Sequence, residues 1–157
     1  MEKVAIDDVR KELNPMGVHS VRRPVSDALG TEHFAMNYFE LEPGESFSGG
    51  MHTHHDQEEV FYVQEGTATF ETPDEDVVVD EGELIRFAPG DFQKGYNDPD
   101  EGEETVVGFA LGAPGAKHDW DEIESIIHCQ ECDEETGHST HLVEGPAFDM
   151  TCLECGN

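Results

Sequence analysis

The sequence predicts an all-β fold, a small antiparallel barrel or sandwich followed by a cysteine module, and three observations carry that reading. Short runs of β-forming residues recur along the chain with turn residues between them. A His-x-His pair is followed by a glutamate that opens an apolar run closed by glycine. Two Cys-x2-Cys pairs stand near the C-terminus.

Residues 1–18 read as an N-terminal extension. Val4, Val9 and Leu13 recur among charges and stop at Pro15, which predicts a short amphipathic helix over residues 4–14. From residue 19 to 113 the signal is β. Runs at 19–22, 33–41, 60–63, 68–71, 77–79, 84–87 and 105–111 are separated by turn chemistry at Pro43-Gly44, Gly66, Thr72-Pro73-Asp74, Asp80-Glu81-Gly82 and Pro99-Asp100-Glu101-Gly102. Gly112-Ala113-Pro114-Gly115-Ala116 reads as a linker. Residues 114–127 then predict linker and helix, with His118 or Asp119 as cap and Trp120, Ile123, Ile126 and Ile127 as a packing stripe.

Within the β region, His52 and His54 are two apart, so an extended backbone sends both rings to one face and His55 to the other. Glu59 opens the run Val60-Phe61-Tyr62-Val63 and so starts the next strand. Two imidazoles and one carboxylate suit a divalent first-row metal and leave coordination positions open.

Residues 128–157 form the cysteine module. Cys129 and Cys132, then Cys152 and Cys155, are Cys-x2-Cys knuckles, and the nineteen residues between them can fold as a hairpin that brings four sulfurs to one tetrahedral ion. Gly156 directly after Cys155 completes a resemblance to zinc ribbons, which implies a closed structural zinc site that stabilises the module and does no chemistry. Paired disulfides or a redox Cys-x2-Cys are the alternatives, disfavoured in a reducing compartment. His128, His138 and His141 lie close enough in sequence to replace a cysteine or hold a second ion, or are solvated loop residues.

Charge narrows the function classes. The 37 acidic residues outweigh 8 basic ones, for a formal net charge of −29, and they are spread through the chain among Val, Ile and Phe rather than collected in a tail. Self-repulsion on that scale predicts a protein that needs salt, because the screening length falls to about 3 Å at molar ionic strength. The pattern resembles proteins of halophiles with a salty cytoplasm, and a haloarchaeal character is the expectation. Without a basic patch, nucleic acid and anionic membranes are unsuitable partners. The opening Met1-Glu2-Lys3-Val4 leads into Asp7-Asp8 without a secretory pattern, and no apolar run reaches membrane-spanning length, so a cytoplasmic location is expected. Residues 115–157 hold eleven acids and one lysine, a balance of −10, which favours protein contact or capping for the ribbon.

The spacing His52-x-His54-x4-Glu59-x6-Gly66 resembles the first motif of the cupin superfamily, with Ser46 where a glycine is usual. A second cupin-like motif lies at 82–97 in Gly82, Gly90 and Asn97, with Ala88-Pro89 around the expected proline and Gln93 where the family usually has a fourth ligand, most often His. The resemblance implies a jelly-roll barrel over residues 19–113 and a metal bound by His52, His54 and Glu59, with Gln93 as an optional amide-oxygen ligand. It implies Fe, Mn, Ni, Co or Zn as the metal, and a small-molecule dioxygenase or isomerase, or else a non-catalytic sensor or scaffold, as the function. Phe61, Tyr62, Phe92 and Tyr96 are candidate substrate-pocket walls, and Arg86 and Lys94 are the cations near the second motif. A homodimer is expected, since cupin barrels often pair through exposed strands.

Overall fold

The computed structural model describes residues 1–12, 14, 16–143 and 147–157. Among the described residues twelve strands carry the fold: β1 (Val21–Pro24), β2 (Ala35–Leu41), β3 (His52–His54), β4 (Glu58–Glu65), β5 (Thr67–Glu71), β6 (Asp76–Asp80), β7 (Leu84–Phe87), β8 (Lys94–Tyr96), β9 (Val106–Ala113), β10 (Ile123–Cys129), β11 (Glu134–Val143) and β12 (Ala147–Cys152). Every pairing is antiparallel. One wall of the jelly-roll barrel is the sheet β1-β2-β9-β4-β7. The other is built from β6-β5-β8 and β12-β11-β10-β3, joined where His52 pairs with Gln93 just ahead of β8. The all-β jelly roll expected from the sequence is the fold observed.

Alternation explains which residues meet inside. In β4, Phe61 and Val63 point inward while Val60 and Tyr62 face out, and β2 buries Phe39 and Leu41 in the same way. These side chains join Phe47, Ala68, Phe70, Val79, Phe87 and Val106 in one core shared by both walls. Phe70 is central, with ring centroids 4.9 Å from Phe61, 5.6 Å from Phe87 and 5.9 Å from Phe47. Truncating such a ring costs about 3–5 kcal/mol. Gly95 opposite it has no room for a side chain, because a Cβ would lie 2.4 Å from Phe70 Cε1. Gly66, closing the first motif, turns the chain from β4 into β5 at φ 79°, and a Cβ there would meet Thr105 O at 2.9 Å.

Two helix expectations fail. In place of a helix over residues 4–14, a single 3-10 turn spans Ile6–Asp8 without a side-chain cap, and the following segment lies along β1, where Glu12 N donates to Arg22 O and the two side chains pair at 3.0 Å. Leu13 and Pro15 of that expectation lie outside the described residues. After the linker, Asp119 does cap, its carboxylate accepting from Asp121 N, but the turn Trp120–Glu122 ends after three residues and the isoleucines enter β10. Their β-branched side chains suit a strand, and pairing with β3 on one side and β11 on the other overrides the helical spacing. The one α-helix among the described residues, α1 (Val25–Leu29), is a single short turn ended by Gly30 at φ 68°. No helix of the described residues is long and apolar enough to cross a membrane.

Candidate metal centres

β3 and β4 bring His52, His54 and Glu59 together from opposite walls of the barrel. One donor atom from each lies within 4.8 Å of the others, a spacing able to hold a metal ion. The rings of His52 and His54 stand 5.2 Å apart on the same face of β3, whereas His55 turns outward to pair with Glu124 at 3.0 Å. His52 Nδ1 is 2.9 Å from Gly50 O, an arrangement in which Nδ1–H donates and Nε2 keeps its lone pair for the site. His54 Nε2 stands 3.5 Å from Glu59 Oε1.

Gln93 enters beside them. Its Nε2 donates to Glu59 Oε2 at 2.9 Å, so the amide holds the carboxylate in place, while its Oε1 is buried without a hydrogen-bond partner among the described residues. His54 Nδ1 is buried and unpaired in the same sense. Two orphaned polar atoms beside a buried carboxylate are costly unless something further satisfies them. A divalent cation fits the electrostatics as well. Burial pushes the Glu59 carboxyl up to about 7 despite the Gln93 hydrogen bond, and burial together with His52, His118 and His55 pulls His54 down to about 3. His52 is lowered by burial too. The site thus presents imidazoles kept in the neutral form a metal requires, beside a carboxyl without a counter-charge that gives up its proton near neutrality.

The aromatic wall candidates divide. Phe61 lies in the hydrophobic core two residues along β4 from Glu59, forming the floor beneath the site. Tyr62 alternates to the outer face, opposite Phe109 and Leu84. Tyr96 also faces outward, under Lys94 Nζ at 5.5 Å from the ring, because the buried alternates there are Gln93, Gly95 and Asn97. Phe92 is half-buried next to Gln93. Neither cation near the second motif reaches inward: Arg86 pairs with Glu58 at 2.6 Å and Lys94 with Glu71 at 3.7 Å.

Sequence reasoning missed His118 at this site. Its ring centroid is 5.1 Å from that of His54, its imidazole is lowered chiefly by burial, and Trp120 packs edge-on against it at 4.4 Å. No spacing rule connects residue 118 to residue 54. Only the pairing of β10 with β3, in which Ile123 faces His54 and Ser125 faces His52, brings this segment over the barrel mouth.

The four cysteines gather at the far end of the same sheet. Cys129 Sγ lies 3.6 Å from Cys155 Sγ and Cys132 Sγ 4.0 Å from Cys152 Sγ, and all four are free thiols. These separations bracket the edge of about 3.8 Å that a tetrahedron has when its metal–sulfur bonds are about 2.3 Å, the zinc value. Both knuckles end alike, with Asp133 (φ 57°) and Gly156 (φ 77°) in the left-handed region and their amides donating to Cys129 O and Cys152 O at 2.9 Å. The Thr136 hydroxyl, 3.2 Å from Cys152 Sγ, and nearby backbone amides pull that thiol down to about 6. His138 is held by Thr136 O, His141 by Asp121 and His128 lies 3.8 Å from Asp133, so none of them joins the cysteine group.

Residues 37–107 match the family model described as the cupin domain. No curated protein matches the chain. Among solved structures, a sugar phosphate isomerase from a cupin superfamily from Silicibacter pomeroyi superposes with a TM-score of 0.66 at 17% identity, covering 99% of this chain and 95% of that one. The polyketide cyclase RemF from Streptomyces resistomycificus superposes with a TM-score of 0.65 at 22% identity, covering 83% and 88%. At these identities the likeness is one of fold.

Proposed function

From a cupin domain at residues 37–107 we propose a metal-dependent protein whose barrel holds a divalent first-row transition ion through His52, His54 and Glu59, and whose cysteines hold a structural zinc. The observation that carries the barrel reading is the convergence of two neutral imidazoles on a buried carboxylate that lacks a counter-charge, with His54 Nδ1 and Gln93 Oε1 unpaired beside them. When bound, the ion supplies Lewis acidity or dioxygen activation toward a small molecule. The residues do the rest. Gln93 orients Glu59, the Gly50 carbonyl fixes the His52 tautomer, and Phe61 seals the floor against water.

The resemblance to an isomerase and a cyclase supports small-molecule chemistry, and dioxygenase or isomerase activity is the reading proposed. A phosphorylated substrate fits poorly, since Arg86 and Lys94 are spent on outward ion pairs. A binding-only role, as sensor or scaffold with the ribbon meeting a protein partner, is the second reading; it is favoured by Gln93 bracing Glu59 in the place of a further imidazole. The −29 charge supports work in a high-salt cytoplasm.

Elemental analysis of protein kept in molar KCl tests the two-site reading. Two metals are expected, one lost with His52→Ala plus His54→Ala and the other with Cys152→Ser; a single zinc indifferent to the histidines would leave only the ribbon. Dioxygen uptake with catechols, thiols and diketones in the presence of Fe(II) then separates enzyme from binder.

A further inference from the structure

The segment after β9 is fixed over the barrel mouth by several independent ties. Gln57 Nε2 donates to the carbonyls of Pro114, Gly115 and Lys117, the last two at 3.3 Å. Gly115 N donates to His33 O at 3.0 Å, and Asp119 N to Asp56 Oδ2 at 3.2 Å. His118 sits between these anchors, 5.1 Å from the His54 ring and 4.4 Å from Trp120. Trp120 in turn packs on Phe148 at 4.6 Å, and Phe148 belongs to β12, the strand that delivers Cys152. A line of rings therefore runs from a barrel donor to the cysteine hairpin.

We propose that His118 contacts the molecule bound at the barrel site, donating a hydrogen bond to an oxygen-bearing ligand at an open coordination position, and that the cysteine hairpin positions it there through Phe148 and Trp120. This rests on the metal-binding reading above.

Geometry separates this role from coordination. The three donors that converge within 4.8 Å are His52, His54 and Glu59, and His118 stands beside them rather than among them. Its packing with other residues is ring against ring, while its two nitrogens have no hydrogen-bond partner among the described residues. A half-buried imidazole held in that state has its polar edge free for a ligand, and the ordering cost was met when the loop folded. The ligand class follows from what surrounds it. Arg86 and Lys94 are paired outward and Arg22 is held by Glu12 and Asn37, so the polar group offered at the mouth is an imidazole, which suits a compact chelating oxygen donor such as a hydroxy acid, a diketone or a hydroxamate better than a phosphate ester.

The test uses the full chain in molar KCl with zinc at the cysteines and Co(II) in the barrel, titrated with acetohydroxamate while the visible Co(II) bands are followed. His118→Ala is expected to keep the Co(II) Kd within about twofold and to raise the acetohydroxamate Kd about three- to tenfold, the worth of one neutral hydrogen bond. His118→Gln is expected to recover part of the loss, and Trp120→Ala or Phe148→Ala to reproduce part of it. An unchanged acetohydroxamate Kd in His118→Ala would overturn the proposal. So would a tenfold loss of Co(II) affinity, which would make His118 a metal ligand. Wild-type protein showing no Co(II) bands that depend on His52 and His54 would remove the metal reading itself, and this proposal with it.

Discussion

His52 and Gln93 face each other as a doubly hydrogen-bonded antiparallel pair, His52 N donating to Gln93 O at 3.1 Å and Gln93 N to His52 O at 2.9 Å. That pairing joins the two parts of one barrel wall at the point where the imidazoles project inward. It also places the Gln93 amide against Glu59, which arrives from the opposite wall. Residue 93 therefore acts by bracing the carboxylate.

Replacing that brace tests its worth. Gln93→Ala is expected to weaken barrel metal affinity by about 10- to 100-fold, the usual effect of losing a group that orients a ligand. Gln93→His, which supplies a third imidazole beside His52 and His54, is expected to bind the metal at least as tightly as the wild type. Competition titration of Co(II) against a chelator measures both.

Metal binding should release one proton from Glu59 near neutrality. Both histidines are held below their usual 6.5, His54 at about 3, whereas Glu59 at about 7 is still mostly protonated at pH 6. Affinity should thus fall about tenfold per pH unit below 7 and level off above it. Calorimetry in buffers of different ionisation enthalpy should count about one proton at pH 6 and none in Glu59→Gln. The metal-free fold behaves differently. The raised Glu59 makes its contribution to stability fall as pH climbs from 4.5 to about 7, and the lowered His54 makes its own rise from about 3 to 6.5. These two slopes oppose each other across the shared window, so between them they leave stability nearly flat there.

Losing the cysteine metal should reach the barrel. β10 ends at Cys129 and its first residues, Ile123 to Ser125, pair with β3, so Cys152→Ser or chelation of the zinc is expected to lower Tm and to speed hydrogen exchange at the β10 amides that bond across to the β3 segment, among them Ile126 N, which donates to Met51 O at 2.9 Å. Unchanged exchange at those amides would show that the hairpin folds without its metal.

Stability should climb with salt. With 37 acids against 8 bases, Tm in 3 M KCl is expected well above that in 0.1 M, and thermal melts across that range measure it. A flat response would contradict the argument from charge.

Local pattern made the barrel legible. The β-forming run Val60-Phe61-Tyr62-Val63 and the glycine and proline turns are short-range signals, and the His-x-His-x4-Glu spacing fixes which rings share a face before any contact is known. The cysteine pairs were legible for the same reason, since two residues between thiolates is itself a geometric constraint. What the sequence hid was long-range. Ile123, Ile126 and Ile127 satisfy a helical stripe and a strand equally well, and only the partner strands β3 and β11 decide between them. The sequence does not show the register of Tyr62 and Tyr96; Glu59 and Gln93 define the inner face, and both tyrosines fall on the other. His118 became visible only once that same pairing laid residues 114–119 across the mouth.

The most direct measurement is anomalous scattering at the cobalt edge from crystals of the full chain grown with Co(II) in high salt. The account predicts a peak bonded to His52 and His54 nitrogen and Glu59 oxygen at about 2.0–2.2 Å, separate from any metal among the four sulfurs. Density at the cysteines alone, with the barrel site holding only water, would contradict it.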